Sequence, residues 1–394
     1  MASSFTPKHI SSAHLLGRVD PKVLFRLLKK YGDFFKAEGV MPKTADEVDH
    51  DRLSFVLAAP SEEMPAHLMA DLFYWDEVAQ MAQIEDLNEI AAKHGIEFSD
   101  EVTIEEAALL VRLDAPDDLE DLHAVYHAHG LLRRKKRFLS YFATVVDLPN
   151  WRKPTQKALT LFAQDMDNWY AGQKKGRGAT RVSVIDKTNA AWFVIRHGGT
   201  FKRVNTLENG ESKIVFYRPE AYDLLIYYYK QGELAIFNDG DSKKERRAYC
   251  FNLGKNLFRN AAFFEQHDAE KFSLTPLREK GQAAMDCDSV EGVASAQLCR
   301  LRYRHPGKHN HRVTHTADDL FGSLDSLGEQ IPDDAELECM EVKLTPSNAL
   351  GRERGVRIYS PNISVYDHEA DAEIAHEFLK KQGFILPRNG TPAP

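Results

Sequence analysis

The chain has 394 residues, 43% of them hydrophobic and 28% charged, and a formal net charge of −8. That length suggests two or three domains at roughly 100–200 residues each. The composition excludes collagen-like and wholly disordered classes, and the charge, taken as one number, argues against a polyanionic partner.

Residues 1–150 read as helical. Asp20-Pro21 opens a helix, with Asp as N-cap and Pro at the first helical position. Leu24, Leu27, Leu28, Tyr31 and Phe35 then repeat at helical spacing up to Gly39. A second helix follows Ser61 with Leu68, Leu72 and Trp75 on one face, and a third carries Leu87, Ile90 and Ala91 to a stop near Gly95. Thr103-Ile-Glu-Glu106 is a capping box ahead of Ala107–Leu113. A helix over 117–129 ends at Gly130, another covers 132–146, and one over 154–170 turns Leu159, Phe162 and Trp169 inward.

After Gly172 the pattern becomes strand-like. Residues 180–186, 191–197, 200–207, 212–218, 222–229 and 233–237 are short runs rich in β-branched and aromatic residues. Gly198-Gly199, Asn209-Gly210 and Gln231-Gly232 read as turns between them, Asn-Gly being the strongest hairpin signal. Six strands in sequence predict an antiparallel meander, closed by a helix over 243–258. Strands are expected at 293–304, 311–315, 336–344 and 354–359, and helices at 317–327 and 369–382. The fold class is α+β: a helical bundle, then antiparallel β-meander units with flanking helices. The division these elements suggest is an acidic helical domain over 1–150 and a basic β module with its helix over 151–282. A second α+β unit over 283–390, readable as part of the same domain, and a tail over 391–394 complete it.

The net charge conceals an uneven distribution. Residues 1–150 hold 26 acidic and 16 basic residues, 151–315 hold 18 and 28, and 316–394 hold 15 and 7, giving −10, +10 and −8. The central basic residues come in groups. Lys174, Lys175, Arg177 and Arg181 surround the glycines of AGQKKGRGATR; Arg196, Lys202 and Arg203 bracket Gly198-Gly199. Lys243, Lys244, Arg246 and Arg247 open a helix, and Arg300, Arg302, Arg304, Lys308 and Arg312 surround a hairpin. Positive charge interleaved with glycine and aromatics suits a phosphate backbone with exposed bases. Lys243–Arg247 and Arg133–Arg137 fall in the first turns of expected helices, where cations oppose the helix dipole unless an anion is near. These groups are the expected nucleic-acid contacts, DNA or RNA. The alternative for each is a solvated face, or docking of the acidic bundle on the basic module.

Catalytic motifs are sparse. No P-loop, dinucleotide glycine fingerprint, kinase signature or G-x-S-x-G elbow occurs. Asp334 followed by Glu341-Val342-Lys343 resembles the D…(D/E)-x-K pattern of metal-dependent nucleases of the restriction-endonuclease-like superfamily. That resemblance implies two carboxylates on a Mg²⁺ ion and a lysine that helps activate water. The competing reading is an amphipathic strand with Met340, Val342 and Leu344 inward. His305, His309, His311 and His315 have zinc-like spacing but lie around Pro306-Gly307, which favours a hairpin over a metal finger. No metal or other cofactor is otherwise expected. Tyr227-Tyr228-Tyr229, with Phe216, Tyr217 and Tyr222, are either strand packing residues or base-stacking ones.

No apolar run approaches the ~18–20 residues of a membrane span, and no signal peptide is apparent, so no membrane partner is expected. Cys250, Cys287, Cys299 and Cys339 form no C-x-x-C pair and read as reduced thiols of a cytoplasmic protein. The functional expectation is nucleic-acid binding by the central β module, with the helical region as a partner or oligomerisation module. Two alternatives stand beside it: a metal-dependent nuclease, and a protein-interaction subunit of a bacterial multi-protein system that docks through its acidic bundle.

Overall fold

The computed structural model describes residues 9–58, 63–133, 136–145, 147–208, 210–238, 240–265, 269–307, 309–347 and 352–387. The chain divides into two compact units, residues 1–127 and 128–394.

The first unit is helical: α1 (Ala13–Leu16), α2 (Pro21–Lys30), α3 (Gly32–Ala37), α4 (His50–Ala58), α5 (Ala66–Met81), α6 (Ile84–His94) and α7 (Ile104–Asp114). The unit boundary falls within α8 (Pro116–Arg133). Asp20 caps α2 as its sequence predicts, accepting from the Lys22 N–H, but the expected continuous helix breaks at Tyr31. Tyr31 is drawn off the helical path to donate its phenol to Asp71 at 2.6 Å, where Lys30 and Arg112 also converge, at 2.7 and 2.9 Å. Burial pushes the Asp71 carboxyl up, yet the hydrogen bonds from Lys30 and Tyr31 and the Arg112 charge hold it below the usual range. The capping box at Thr103 is half made. Its hydroxyl accepts from the Glu106 N–H, while the Glu106 carboxylate turns away to the Asp20 N–H. Leu68, Leu72, Trp75, Leu87 and Ala107 pack together in the core of this unit.

The second unit is built on one ten-stranded sheet. Its strands are β1 (Phe138–Phe142), β2 (Arg181–Asp186), β3 (Ala190–Gly198), β6 (Glu220–Tyr228), β7 (Glu233–Phe237), β8 (Val293–Arg304), β9 (Arg312–Thr316), β10 (Glu336–Pro346), β11 (Arg354–Tyr359) and β12 (Ile363–Val365). The numbers β4 (Lys202–Glu208) and β5 (Glu211–Tyr217) belong to a separate two-stranded hairpin. The sheet order is β2-β3-β6-β7-β1-β12-β11-β10-β8-β9, antiparallel at every pairing. Two helices, α9 (Gln156–Gly172) and α10 (Lys243–Leu257), cover one half, packing Phe162, Met166, Tyr249 and Leu253 on Phe193, Ile195, Leu225 and Ile236. After the short α11 (Pro276–Glu279), the helices α12 (Leu320–Leu327) and α13 (Ala372–Lys381) serve the other half, where Leu324 and Phe378 join Leu301, Met340, Val342 and Ile358.

Two sequence expectations are corrected here. The helix predicted over 132–146 is not formed: α8 runs through Gly130 to Arg133, and 138–142 is the strand β1. Phe138, Tyr141 and Phe142 repeat at helical spacing, but all five residues of β1 are buried, and a strand covered on both faces loses its period-two signature. The six-strand meander is also interrupted. Gly198-Gly199 does not turn β3 onto β4; β3 pairs along its whole length with β6, from Ala190↔Tyr228 to Gly198↔Glu220. The β4–β5 hairpin is an insertion between them.

β1 lies between β7 and β12 and so joins the two β-rich stretches into one sheet. Beneath it Glu233, 3% exposed, accepts from Lys271 Nζ at 2.5 Å and from Ser140 Oγ at 2.6 Å. Burial pushes the Glu233 carboxyl up, but the Lys271 charge outweighs it and the net shift is downward. Removing one partner of such a pair leaves a buried charge uncompensated, whereas replacing both with apolar residues is far milder. Glu233→Gln or Lys271→Met is therefore expected to lower stability by about 3–5 kcal/mol, and the double variant Glu233→Leu/Lys271→Met to recover most of the loss. Because the Glu233 pKa is depressed, its share of stability is complete above the ordinary carboxylate range and disappears as pH falls through the lowered folded value. Chemical denaturation of the three variants across pH 3–7 checks both points; equal losses in the single and double variants would contradict them.

Candidate nucleic-acid interface and a buried charged cluster

The basic residues chosen from sequence separate into three classes. The first is neutralised across strands. β10 runs beside β8, and its carboxylates meet the arginines of the β8–β9 hairpin: Arg302 Nε–Glu338 at 3.0 Å, Arg312 Nε–Glu338 at 3.0 Å, Arg304 with Glu336, and Arg300–Glu341 at 3.9 Å. Arg196 similarly meets Glu220 across β3 and β6 at 3.3 Å. Lys308 lies outside the described residues.

The second class is buried or partly buried. Arg246, 5% exposed, points its guanidinium to Tyr141 Oη at 3.2 Å, Asn238 Oδ1 at 3.0 Å and Asp241 Oδ1 at 2.7 Å. Lys175 donates to Glu245 Oε1 at 2.5 Å. The third class is exposed: Lys174, Arg177, Arg181, Lys202, Arg203, Lys243, Lys244 and Arg247.

Several of these exposed residues gather at the root of the β4–β5 hairpin. The glycine-rich loop after α9 packs on the end of β3, where a Cβ on Gly198 would lie 2.5 Å from the Lys175 carbonyl oxygen. Gly198 is thus required for space, not for a turn. Arg218, leaving β5, donates to the Lys174 carbonyl, and Lys175 reaches the first turn of α10 at Glu245. Loop, hairpin root and the lysine-rich helix start are therefore adjacent. The glycine loop is not a backbone phosphate cradle, however. Its N–H groups at Gly178, Ala179 and Thr180 already donate to the Asp167 carboxylate at 2.7, 3.2 and 3.3 Å. Burial pushes Asp167 up, and those donors more than reverse it. Only the side chains of the loop remain for a ligand.

The hairpin itself is exposed on both faces. Its register, Lys202↔Tyr217 through Leu207↔Ser212, places Arg203, Asn205, Leu207, Ile214 and Phe216 on one face and Lys202, Val204, Lys213 and Val215 on the other. Leu207 is 74% and Phe216 64% exposed. The turn follows the Asn-Gly signal, with Gly210 at φ +80°, though Asn209 lies outside the described residues. Tyr227 is 1% exposed and Tyr222 8%, so these strand tyrosines belong to the core. Phe216 alone of the aromatic candidates projects freely into solvent among the large exposed apolar residues.

Other candidates are dispersed. Glu341 is held by Arg357 at 2.5 Å, and Lys343 by Asp318 at 3.3 Å. Asp334 precedes β10, and roughly 17 Å of extended strand separates the strand's first residue from Glu341. The D…E-x-K residues do not converge on one ion. Glu341 and Lys343 instead line an open concavity of about 450 Å³ with Cys299, Arg300, Asp318 and Arg357. His305 stacks on His311 and His315 on Tyr303, so the four histidines share no centre. Arg133 ends α8 and Arg137 precedes β1, so neither opposes a helix N-terminus; residues 134 and 135 lie outside the described residues. The four cysteines are free.

A cluster that no sequence spacing announces lies at the hairpin root. His197 near the end of β3, Asp223 on β6 and Glu245 on α10 are 3%, 1% and 0% exposed. One ligand atom from each lies within 4.8 Å of the others, the one such group of three among the described residues. Tyr249 Oη donates to Asp223 Oδ2 at 2.5 Å, Asn238 Nδ2 donates to Glu245 Oε2 at 3.0 Å, and the Tyr170 ring stacks on His197 at 4.2 Å. Burial drives the Tyr170 and Tyr249 phenols far up, so both stay protonated donors. These residues are separated by 26 and 22 positions and sit in ordinary strand and helix patterns, which is why the sequence hides them.

The sequence matches no protein-family model, and no curated protein matches it at a significant level. Among the described residues no helix is long and apolar enough to cross a membrane.

The cross-strand ladder makes a measurable difference. Its ion pairs are half exposed, so Glu338→Gln should change stability by no more than about 1 kcal/mol. The same substitution frees two arginines, and the variant should elute from a heparin column at higher salt than the parent. Unchanged elution would show that these arginines are already available.

Proposed function

We propose that the protein binds nucleic acid through the β4–β5 hairpin and the basic surface at its root. The observation that carries this reading is the hairpin: an isolated two-stranded ribbon, marginal by itself in water, with apolar and cationic side chains exposed on both faces. Between residues 174 and 218 the chain has ten lysines and arginines and three acidic residues. A two-stranded ribbon fits the major groove of a duplex, about 12 Å wide. Exposed Phe and Leu side chains at a ribbon are the kind of wedge that inserts between base steps. Lys202 and Arg203 would meet phosphates, while Phe216, opposite Arg203 at the root, and Leu207 and Ile214 nearer the tip would meet bases.

This reading moves the interface away from Arg302, Arg304 and Arg312, whose charges Glu336 and Glu338 balance. It needs no catalysis, and the residues of the nuclease motif are too far apart to favour that alternative.

Affinity for duplex and single-stranded DNA and RNA, measured by fluorescence anisotropy from 50 to 300 mM salt, tests the proposal. Binding should weaken steeply with salt, and Lys202→Ala/Arg203→Ala should reduce the slope of log K against log salt by about 2. Phe216→Ala should weaken binding with the slope unchanged. Replacing 201–217 by a short glycine linker should abolish binding and leave the thermal transition of the sheet in place, because β3 and β6 pair without the hairpin. Absence of binding to all four nucleic acids at 50 mM salt would overturn the reading.

A further inference from the structure

Asp223 and Glu245 are two carboxylates in a site with almost no solvent, and burying a carboxylate without a compensating cation costs several kcal/mol. Lys175 donates to Glu245, and His197 faces Asp223. The third member, His197, is fixed in orientation by its neighbour: the Gly198 carbonyl lies 2.9 Å from Nδ1. A carbonyl only accepts, so Nδ1 carries the proton, and in the neutral imidazole Nε2 presents its lone pair to the cluster. That Nε2 atom is buried and without a well-aligned hydrogen bond; Asp223 Oδ2 lies 3.3 Å away, an ion pair when the ring is protonated and one that a metal ion would replace on taking the lone pair. An imidazole whose far nitrogen donates to a backbone carbonyl, with carboxylates themselves held by Tyr249 and Asn238, has the supporting hydrogen bonds that orient metal ligands. Ligand atoms about 2.0–2.2 Å from a tetrahedral ion lie roughly 3.3–3.6 Å apart; Nε2 and Asp223 Oδ2 already stand at 3.3 Å, and Glu245 must close by up to about an ångström.

We infer that His197, Asp223 and Glu245 bind one divalent transition-metal ion, of the zinc or manganese type, in exchange for the Lys175 ammonium beside Glu245. One nitrogen and two carboxylate donors suit such an ion, and two carboxylates balance its charge. The exchange has a route. Lys175 is the partly exposed member of the cluster, its side chain 17% accessible, and it sits between Lys174 at φ +63° and Gly176 at φ +110° on the surface loop. Its departure opens the site to solvent. The ion would tie β3, β6 and α10 together below the hairpin, a structural role in keeping with ligands that are at most 3% exposed.

The test uses the untagged full chain. Elemental analysis after purification without chelators should give about one equivalent of zinc or manganese. The chelator-treated chain, titrated with ZnCl2 or MnCl2 alone, should melt at a higher temperature and show one site by calorimetry. His197→Ala should weaken that binding at least about tenfold, and Lys175→Met should strengthen it and show the larger melting shift. If the parent and Lys175→Met both bind neither metal, the cluster is a lysine-locked charge network and the inference fails. It fails equally if His197→Ala keeps the parent's affinity, since the ion then sits elsewhere. Should His197→Ala not fold, the Lys175→Met comparison decides: its ligands are intact, and a melting temperature unmoved by metal overturns the inference. None of these readouts involves nucleic acid.

Discussion

Everything in the larger unit depends on β1 being placed between β7 and β12. Without that strand the two β-rich stretches have no common edge: β7 pairs β6 on one side, β12 pairs β11 on the other, and only β1 spans the gap. A strand in the middle of a sheet cannot carry charge freely, and β1 has two polar groups, the hydroxyls of Ser140 and Tyr141, both residues 0% exposed; Tyr141 is met by Arg246. The Ser140 hydroxyl is absorbed by Glu233, which is absorbed in turn by Lys271. The lysine comes from a segment whose backbone N–H donates to the Pro361 carbonyl next to β12. Three separate stretches of chain are thus held at one buried ion pair, and their order around β1 follows from it.

This arrangement also determines what is left exposed. With β3 fully paired to β6, the segment between them has no place in the sheet and leaves as a hairpin. Its apolar residues cannot reach the core, so they remain in water on a two-stranded ribbon. A chain gains nothing in folding from Phe216 or Leu207 at such positions; each costs solubility and raises the risk of edge pairing. The cations beside them limit that risk, and it is the two features together that the proposed nucleic-acid ligand, with phosphates outside and stacked bases inside, would use.

Much of the fold is legible in the sequence, and the failures have physical causes. Asp20-Pro21, Gly95 and Asn209-Gly210 are local signals, and the element ends beside them fall where expected, although the helix that Asp20 opens stops at Lys30 and not at Gly39. β1 was hidden because FLSYF is buried on both faces, and apolar spacing alone cannot separate such a strand from a helix turn. Gly198-Gly199 was misread because glycine has two uses: here it clears space for the Lys175 carbonyl and does not reverse the chain. Regional charge was the most misleading quantity of all. The arginines of β8 and β9 count as +4 with Arg300, Arg302, Arg304 and Arg312, yet the carboxylates that balance them are Glu336, Glu338 and Glu341, some 25 to 40 residues later and assigned to the acidic third. Charge summed along the chain ignores pairing across it. The buried cluster was invisible for a related reason, because its members come from β3, β6 and α10 and no local window contains two of them.

The two kinds of charge in this unit therefore carry different information. Where acid and base meet across exposed strands, desolvation is slight and the pairs cost and contribute little. The same residue types beneath α10 are desolvated completely, and there the compensation must be geometric. Glu245 has Lys175 and Asn238, Asp223 has Tyr249, and His197 has its tautomer set by Gly198. A hydrophobic set of equal volume would fold at least as well at such a position. That three ionisable side chains occupy it, with the His197 ring nitrogen turned inward 3.3 Å from Asp223, is the feature that packing alone leaves unexplained and that the proposed cation would account for.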